Sequence, residues 1–386
     1  MTKLEQLIEE LCPNGVEYRK LEECCNILDK KRRPVTKAAR VAGEYPYYGA
    51  NGIQDYVSDY IFDGTYVLVG EDGSVITKAG TPVVTWAEGK IWVNNHAHII
   101  EEQKGVLLRY LFHYIQTIDV TPLIHGNIPK LTGGDFRALQ IPIPPLPVQS
   151  EIVRILDNFT ELTAELTAEL TARRQQYEYY NNTLLSFDNA EYKTLEELCD
   201  IVDYRGKTPR KVDDGIFLVT AKNIRKGFID YDKSKEYISP EDYDEVMHRG
   251  FPKIGDVLIT TEAPCGNVAQ IDNENIALAQ RVIKYRPKNN NVNSTFLKYV
   301  LLGKEFQDKL ERAATGGTVK GIKGSKLHQL TIPVPSIEEQ ERIVAILERF
   351  DTLCNDISEG LPAEIEARQK QYEYYRDRLL TFEPAK

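Results

Sequence analysis

Two stretches of the chain carry the same heptad spacing of apolar residues. In the first, Ile152, Leu156, Phe159, Thr163, Leu166, Leu170, Arg173, Tyr177, Tyr180, Leu184 and Phe187 recur at alternating steps of four and three. That spacing predicts a long helix with one apolar seam, imperfect only at Thr163 and Arg173. The second runs Ile343, Leu347, Phe350, Cys354, Ile357, Leu361, Ile365, Arg368, Tyr372, Tyr375, Leu379, Phe382. Here two steps of four follow one another from Ile357 to Ile365, a stutter that falls at Gly360 and Pro362, where a helix is expected to kink or break. Ahead of each helix lies a body of another kind. Short β-rich runs such as TYVLVG (65–70), TPVVTW (81–86), GIFLVT (215–220) and GDVLITT (255–261) sit between Gly, Asn and Asp turns. Each body then carries a helical pattern, at 107–118 and 295–313, and a glycine-rich loop, at 125–134 and 315–326.

The two seams are copies of one another. ARRQQYEYYNNTLLSF (172–187) and ARQKQYEYYRDRLLTF (367–382) agree at ten of sixteen positions, where unrelated segments would share about one. Upstream, LQIPIPPLPVQSEIVRILDNFTEL (139–162) matches LTIPVPSIEEQERIVAILERFDTL (330–353) at an offset of 191. At the front, VEYRKLEECCNIL (16–28) matches AEYKTLEELCDIV (190–202) at an offset of 174. The bodies between, 29–136 and 203–327, barely resemble each other. One large unit has been duplicated, and similar frames now surround dissimilar bodies. The expected architecture is α+β: mixed α/β domains at 1–147 and 189–336, with helical regions at 148–188 and 337–386. Two helices of forty residues paired antiparallel would make a rod of roughly 60 Å at ~1.5 Å per residue, with the bodies related by a pseudo-two-fold axis.

Composition narrows the class. A chain of 386 residues favours two domains, and 42% hydrophobic with 27% charged residues describes a soluble globular protein. No stretch is apolar and long enough to span a bilayer, and MTKLEQLIEE is too acidic for a signal peptide. Cys12, Cys24, Cys25, Cys199, Cys265 and Cys354 form no CxxC pair, which argues against zinc ribbons and a disulfide framework and for a reducing cytoplasm. The net charge of −10 argues on its face against nucleic acid.

The distribution of charge argues the other way. Lys30, Lys31, Arg32, Arg33 and Lys37 follow the first similar start, and Arg205, Lys207, Arg210 and Lys211 follow the second. At the offset of 174, Lys31 falls on Arg205 and Arg33 on Lys207. Lys222, Asn223, Arg225 and Lys226 add to the second body, and Lys130, Lys320, Lys323 and Lys326 lie in the glycine-rich loops. Lysine on such loops suits phosphate, whereas Arg and Asn read base edges bidentately. A charge run is otherwise a solvated face, but recurrence in both halves favours DNA. Glutamates concentrate elsewhere, in LEQLIEEL (4–11), SIEEQE (336–341) and SEGLPAEIE (358–366).

Catalytic patterns are weak. Glu88 and Lys90 with Asp72 make a short nuclease-like ExK match without a counterpart in the second body. His96 and His98 would share a strand face, with a structural or DNA-contacting role favoured over metal ligation. GGTVKGIKGSK lacks the P-loop spacing, and there is neither GxSxG nor an NPPF-type methyltransferase tetrapeptide.

The IPxP passages, the RQKQYEYYRDRLLTF ending and the TELTAELTAELTA reiteration (160–172) together resemble the DNA-specificity subunit of type I restriction–modification systems, over nearly the full length. The resemblance implies that the bodies are target-recognition domains and that the helical spacer sets the distance between two half-sites. It also implies a non-catalytic chain without cofactor of its own, which recruits two methyltransferase subunits using S-adenosylmethionine. Restriction subunits using ATP and Mg would complete the assembly. Glu178 and Tyr179, with Glu373 and Tyr374, are candidate partner contacts because they recur beside the seam. The alternative from another class is a two-headed protein–protein scaffold that binds no DNA.

Overall fold

Four consecutive side chains, Tyr66 to Val69, are buried, which a strand allows only when both of its faces are covered. The computed structural model, which describes residues 2–73, 75–124, 128–187, 189–204, 208–279, 281–316, 320–356 and 359–386, supplies both covers. Its chain divides into two compact units, Met1–Thr167 with Glu364–Lys386, and Ala168–Ala363.

In the first unit, helix α1 (Lys3–Leu11) precedes strands β1 (Tyr18–Lys20), β2 (Asn26–Ile27), β3 (Ala42–Gly49), β4 (Gly52–Val57), β5 (Phe62–Gly70), β6 (Val84–Val93) and β7 (Ala97–Glu101). Helix α2 (Leu108–Ile115), strand β8 (Gln140–Pro142) and the long helix α3 (Leu146–Leu184) follow, and from Ala168 onward α3 belongs to the second unit. Six strands form one sheet in the order β2-β7-β5-β6-β3-β4, antiparallel except for β3 with β6. Val67 and Val69 face the core shared with α1, α2 and α3, and Tyr66 and Leu68 face a second cluster with Phe62, Ile91 and Ile99. The period-2 alternation of a strand therefore serves two cores at once.

The second unit continues with β9 (Glu191–Thr194), β10 (Cys199–Asp203), β11 (Ile216–Val219), β12 (Tyr237–Ile238), β13 (Val257–Thr261), β14 (Cys265–Gln270), β15 (Ile276–Leu278) and β16 (Val282–Pro287). Helices α4 (Ser294–Leu302) and α5 (Lys304–Ala313), strand β17 (Thr331–Val334) and helix α6 (Ile337–Asn355) complete it, and α7 (Leu361–Leu379) returns the chain to the first unit. An antiparallel sheet in the order β10-β16-β13-β14 separates two clusters, with Val257 and Ile259 toward α4 and Leu258 toward β11 and β15.

The frame is repeated atom for atom where it matters. Gln149 and Gln340, 191 residues apart, are both fully buried. Gln149 Oε1 accepts the Leu107 N–H, while its Nε2 donates to Gly105 O and Pro144 O. Gln340 accepts from Asn293 N–H and donates to Asn291 O and Pro335 O in the same manner. Each amide satisfies backbone groups that α2 or α4 leaves open at its start, so the start of a long helix is locked to the body it follows. This explains why a glutamine accompanies both IPxP passages.

Within the second unit the end of α3 runs antiparallel to α6: Arg174 donates to Cys354 O, and Tyr180 stacks on Phe350 at 5.4 Å. Within the first, Phe159 stacks on Tyr375 at 5.3 Å, the same two positions with the roles of the copies exchanged. The stutter is a break: α6 ends at Asn355 and α7 begins at Leu361. A Cβ on Gly360 would lie 2.4 Å from Thr352 O, so only glycine lets the chain turn there. Ile357 lies outside the described residues.

His113 ties α2 to both helices of the first unit. Its Nε2 meets Asp157 at 2.8 Å and its Nδ1 meets the Tyr372 hydroxyl at 3.0 Å, an arrangement the neutral ring satisfies fully. Burial lowers the His113 pKa below the usual 6.5, against the pull of Asp157. The unfolded chain then binds this proton more readily, so the contribution is complete above pH 6.5 and is lost as pH falls through the lowered value. The melting temperature of the full chain is expected to fall more steeply below that pH than it does for His113→Gln. Parallel profiles would show that His113 does not titrate with folding.

Candidate nucleic-acid interface

The first basic cluster begins in a short 3-10 turn, Asp29–Lys31, and its members separate by function. Lys30, Lys31, Arg33 and Lys37 are exposed. Arg32 points inward: its guanidinium donates to Glu71 at 2.7 Å and to Ala97 O at 2.6 Å, and approaches Asp29 at 3.6 Å. The Arg32 side chain is only 12% exposed, so the expected DNA contact there is corrected to a structural ion pair.

Asp29 is the centre of that network. It accepts from the Ile99 N–H and meets His98 Nδ1 at 2.8 Å, while His98 Nε2 faces Leu131 O and the ring stacks on Phe136. Burial raises its pKa, but His98, the Ile99 N–H and Arg32 outweigh that and hold the carboxyl below its usual range. Asp29, Glu71 and His98 stand close enough to bracket a cation. Arg32 fills that place, and both His98 nitrogens are engaged. Lys130 (3.4 Å from Glu71) and Arg137 (3.8 Å from Asp29) sit at the rim, half exposed; Arg137 has no neighbouring charge run in the sequence to mark it.

In the second unit Lys222, Lys226, Lys323 and Lys326 are exposed. Arg210 lines a cleft of about 450 Å³ with Tyr204, Asp242, Glu245, His248 and Arg249. Lys211 pairs with Glu236, Arg225 with Asp230 and Lys320 with Glu311, all at partly exposed positions where such pairs are weak and exchangeable. Asn223 is fully buried. Its Oδ1 accepts from Thr220 N–H and Oγ1–H, and its Nδ2 donates to Asp230 O and Ser234 O. An amide spent on its own loop cannot read a base, so this expectation too is corrected. Arg205 and Lys207 lie outside the described residues.

The nuclease-like residues do not converge. Glu88 lies opposite Thr65 on β5 and accepts from Trp86 Nε1, seven residues along from Asp72, roughly 20 Å at ~3.3 Å per residue. Asp72 pairs with His96, and Lys90 lies over the Tyr60 ring at 4.8 Å. Beside the seam, Glu178, Tyr179, Glu373 and Tyr374 are all exposed. Tyr179 packs edge-on to Tyr180 and Tyr374 edge-on to Tyr375, the same contact in each unit. Among the described residues no helix is long and apolar enough to cross a membrane.

Comparison with known proteins places this geometry in a family. The model of the type I restriction modification DNA specificity domain matches twice, over residues 13–173 and 188–367. A putative type I restriction enzyme specificity subunit of Haemophilus influenzae is 38% identical, across 99% of this chain and 98% of that one. The EcoR124I/EcoR124II specificity subunit of Escherichia coli is 38% identical over 73% of this chain and 72% of its own length. Among solved structures, the S subunit of a type I restriction–modification system from M. genitalium matches 95% of this chain and 97% of its own with a TM-score of 0.60, at 15% identity. That likeness concerns the fold.

Proposed function

Because this chain belongs to the type I restriction modification DNA specificity family, we propose that each of its two units reads one half of a bipartite, asymmetric DNA target. The chain is the non-catalytic specificity component. One observation carries the proposal: the Gln149 and Gln340 anchors repeat their hydrogen bonds in full around bodies with different sheets and different exposed cations. A scaffold with two like heads has no use for such divergence inside so strict a frame. Two methyltransferase subunits dock along the helices, with Tyr179 and Tyr374 as equivalent contacts, and bring S-adenosylmethionine. Restriction subunits, where the system has them, bring ATP and Mg. The complex works in the cytoplasm, where its DNA is.

Mapping methyladenine in cells that express this chain with its methyltransferase, against cells that lack it, tests the reading. A new split motif with a constant gap supports it; no new motif leaves the scaffold reading.

The cluster at 30–37 divides on charge reversal. Arg33→Glu is expected to weaken DNA binding by the assembled complex and to lower its salt slope by about one. Arg32→Glu instead sets a third carboxylate beside Asp29 and Glu71. Breaking such a pair costs about 3–5 kcal/mol, read as a lower melting temperature. An unchanged salt slope in Arg33→Glu would remove this residue from the phosphate contacts.

A further inference from the structure

We propose that Gln54 reads a base edge in the half-site bound by the first unit, and that buried Asn94 positions it. The assignment rests on the DNA-recognition reading above.

Gln54 lies on β4, an edge strand of the six-stranded sheet, just after the tight Ala50-Asn51 turn. Gly52 has a φ of +84°, which a glycine adopts without cost. The Gln54 side chain is exposed, yet it is not loose. It lies flat over Gly49, where an added Cβ would stand 2.0 Å from Gln54 Nε2 and 2.3 Å from its Cδ. Asn94, 2% exposed, donates through Nδ2 to Gln54 Oε1 at 3.3 Å. The Oδ1 of the same amide accepts the His96 N–H at 2.8 Å, and Asp72 holds the His96 ring through Nδ1. One buried amide thus holds the exposed Gln54 side chain and the backbone at His96.

The cations stand next to them. Arg33 N–H donates to Val93 O, and Trp92 Nε1 donates to Arg33 O, so the basic segment runs along the strand end that carries Asn94. Residues that hold a backbone phosphate would therefore bring a pre-set amide to the groove.

The chemistry of that amide is specific. Asn94 engages one of two lone pairs on Gln54 Oε1, so an acceptor and both N–H donors remain. A carboxamide offering both makes a bidentate pair with N6 and N7 of adenine in the major groove. Holding it in place beforehand reduces the rotamer entropy lost on binding. Asn223 of the second unit is the contrasting case, an amide with every group used inside its own loop.

The test uses the full chain assembled with its methyltransferase and a panel of duplexes, each with one base pair of the target changed. Gln54→Ala is expected to lose about tenfold or more of the preference for one A·T pair in one half-site, while the other half-site keeps its profile. Gly49→Ala, which displaces the amide without removing it, is expected to affect the same base pair. A profile unchanged in both variants overturns the proposal, whether or not overall affinity falls. So does an equal loss in both half-sites, which would mark a general structural effect. A wild-type complex with no discrimination anywhere overturns the recognition reading as a whole, and this assignment with it.

Discussion

Deleting Thr167–Leu170 from α3 is expected to shorten the gap between the two half-sites and to leave both half-site sequences unchanged. The four residues lie inside a continuous helix, so their removal shortens it by about 6 Å at ~1.5 Å per residue. That is close to two base pairs at ~3.4 Å each, if the helix runs along the duplex. Four residues turn the helix by about 400°, so the seam returns to within about 40° of its original direction. The deleted repeat is also interchangeable with its neighbours: Thr163 Oγ1 donates to Phe159 O, and Thr167 Oγ1 to Thr163 O, the same back-bond one turn on. Removing a single residue would rotate everything beyond it by about 100° and take the apolar edge off its partner. Methylation mapping reads both outcomes. A changed half-site sequence in the four-residue deletion would contradict the separation of reading from spacing, and an unchanged gap would mean that α3 does not set it.

Removing Leu380–Lys386 should destabilise the first unit and spare the second. Leu380 and Phe382 are buried in the core that holds Leu4, Val16, Tyr110 and Leu156. The segment also closes the backbone: Val16 N–H donates to Glu383 O, Ala385 N–H to Val16 O, and the Tyr18 hydroxyl to Phe382 O. Losing one buried phenylalanine costs about 3–5 kcal/mol, a large part of the stability of an ordinary domain. In limited proteolysis the shortened chain is expected to be cut within residues 1–167, while a fragment from the second unit survives. Phe382→Ala should do the same more mildly. Equal resistance of both units to protease would show that the tail adds little.

The regular part of this molecule was legible because it is periodic. Steps of three and four located α3 and α6, and the paired steps at Ile357–Ile365 with Gly360 located the break. The duplicated IPxP passages marked the frame, although the reason for their glutamine needed the hydrogen bonds of Gln149 and Gln340. Charge was harder to read. Arg32 and Arg33 are adjacent and identical, yet one meets Asp29 and Glu71 while the other faces water. Which of them turns inward is decided by Glu71, 39 residues away. Asn223 and Gln54 make the same point with amides: the first has its carbonyl partners seven and eleven residues along its own loop, and the second is held by Asn94, 40 residues away. Local pattern reports faces, whereas these outcomes depend on pairs that only folding creates.

The closure of Val16 against Glu383 and Ala385 also bears on how the chain is made. The ribosome emits residues 168–363, the whole second unit, before the helix and tail that complete the first. At about 5–20 residues per second that interval is roughly 10–40 s. Throughout that time the first-made unit waits with the apolar surface destined for Leu380 and Phe382 uncovered, and by its end the second-made unit has all of its own residues. Synthesis therefore finishes the molecule in reverse, and the nascent first unit is the species on which chaperones would act.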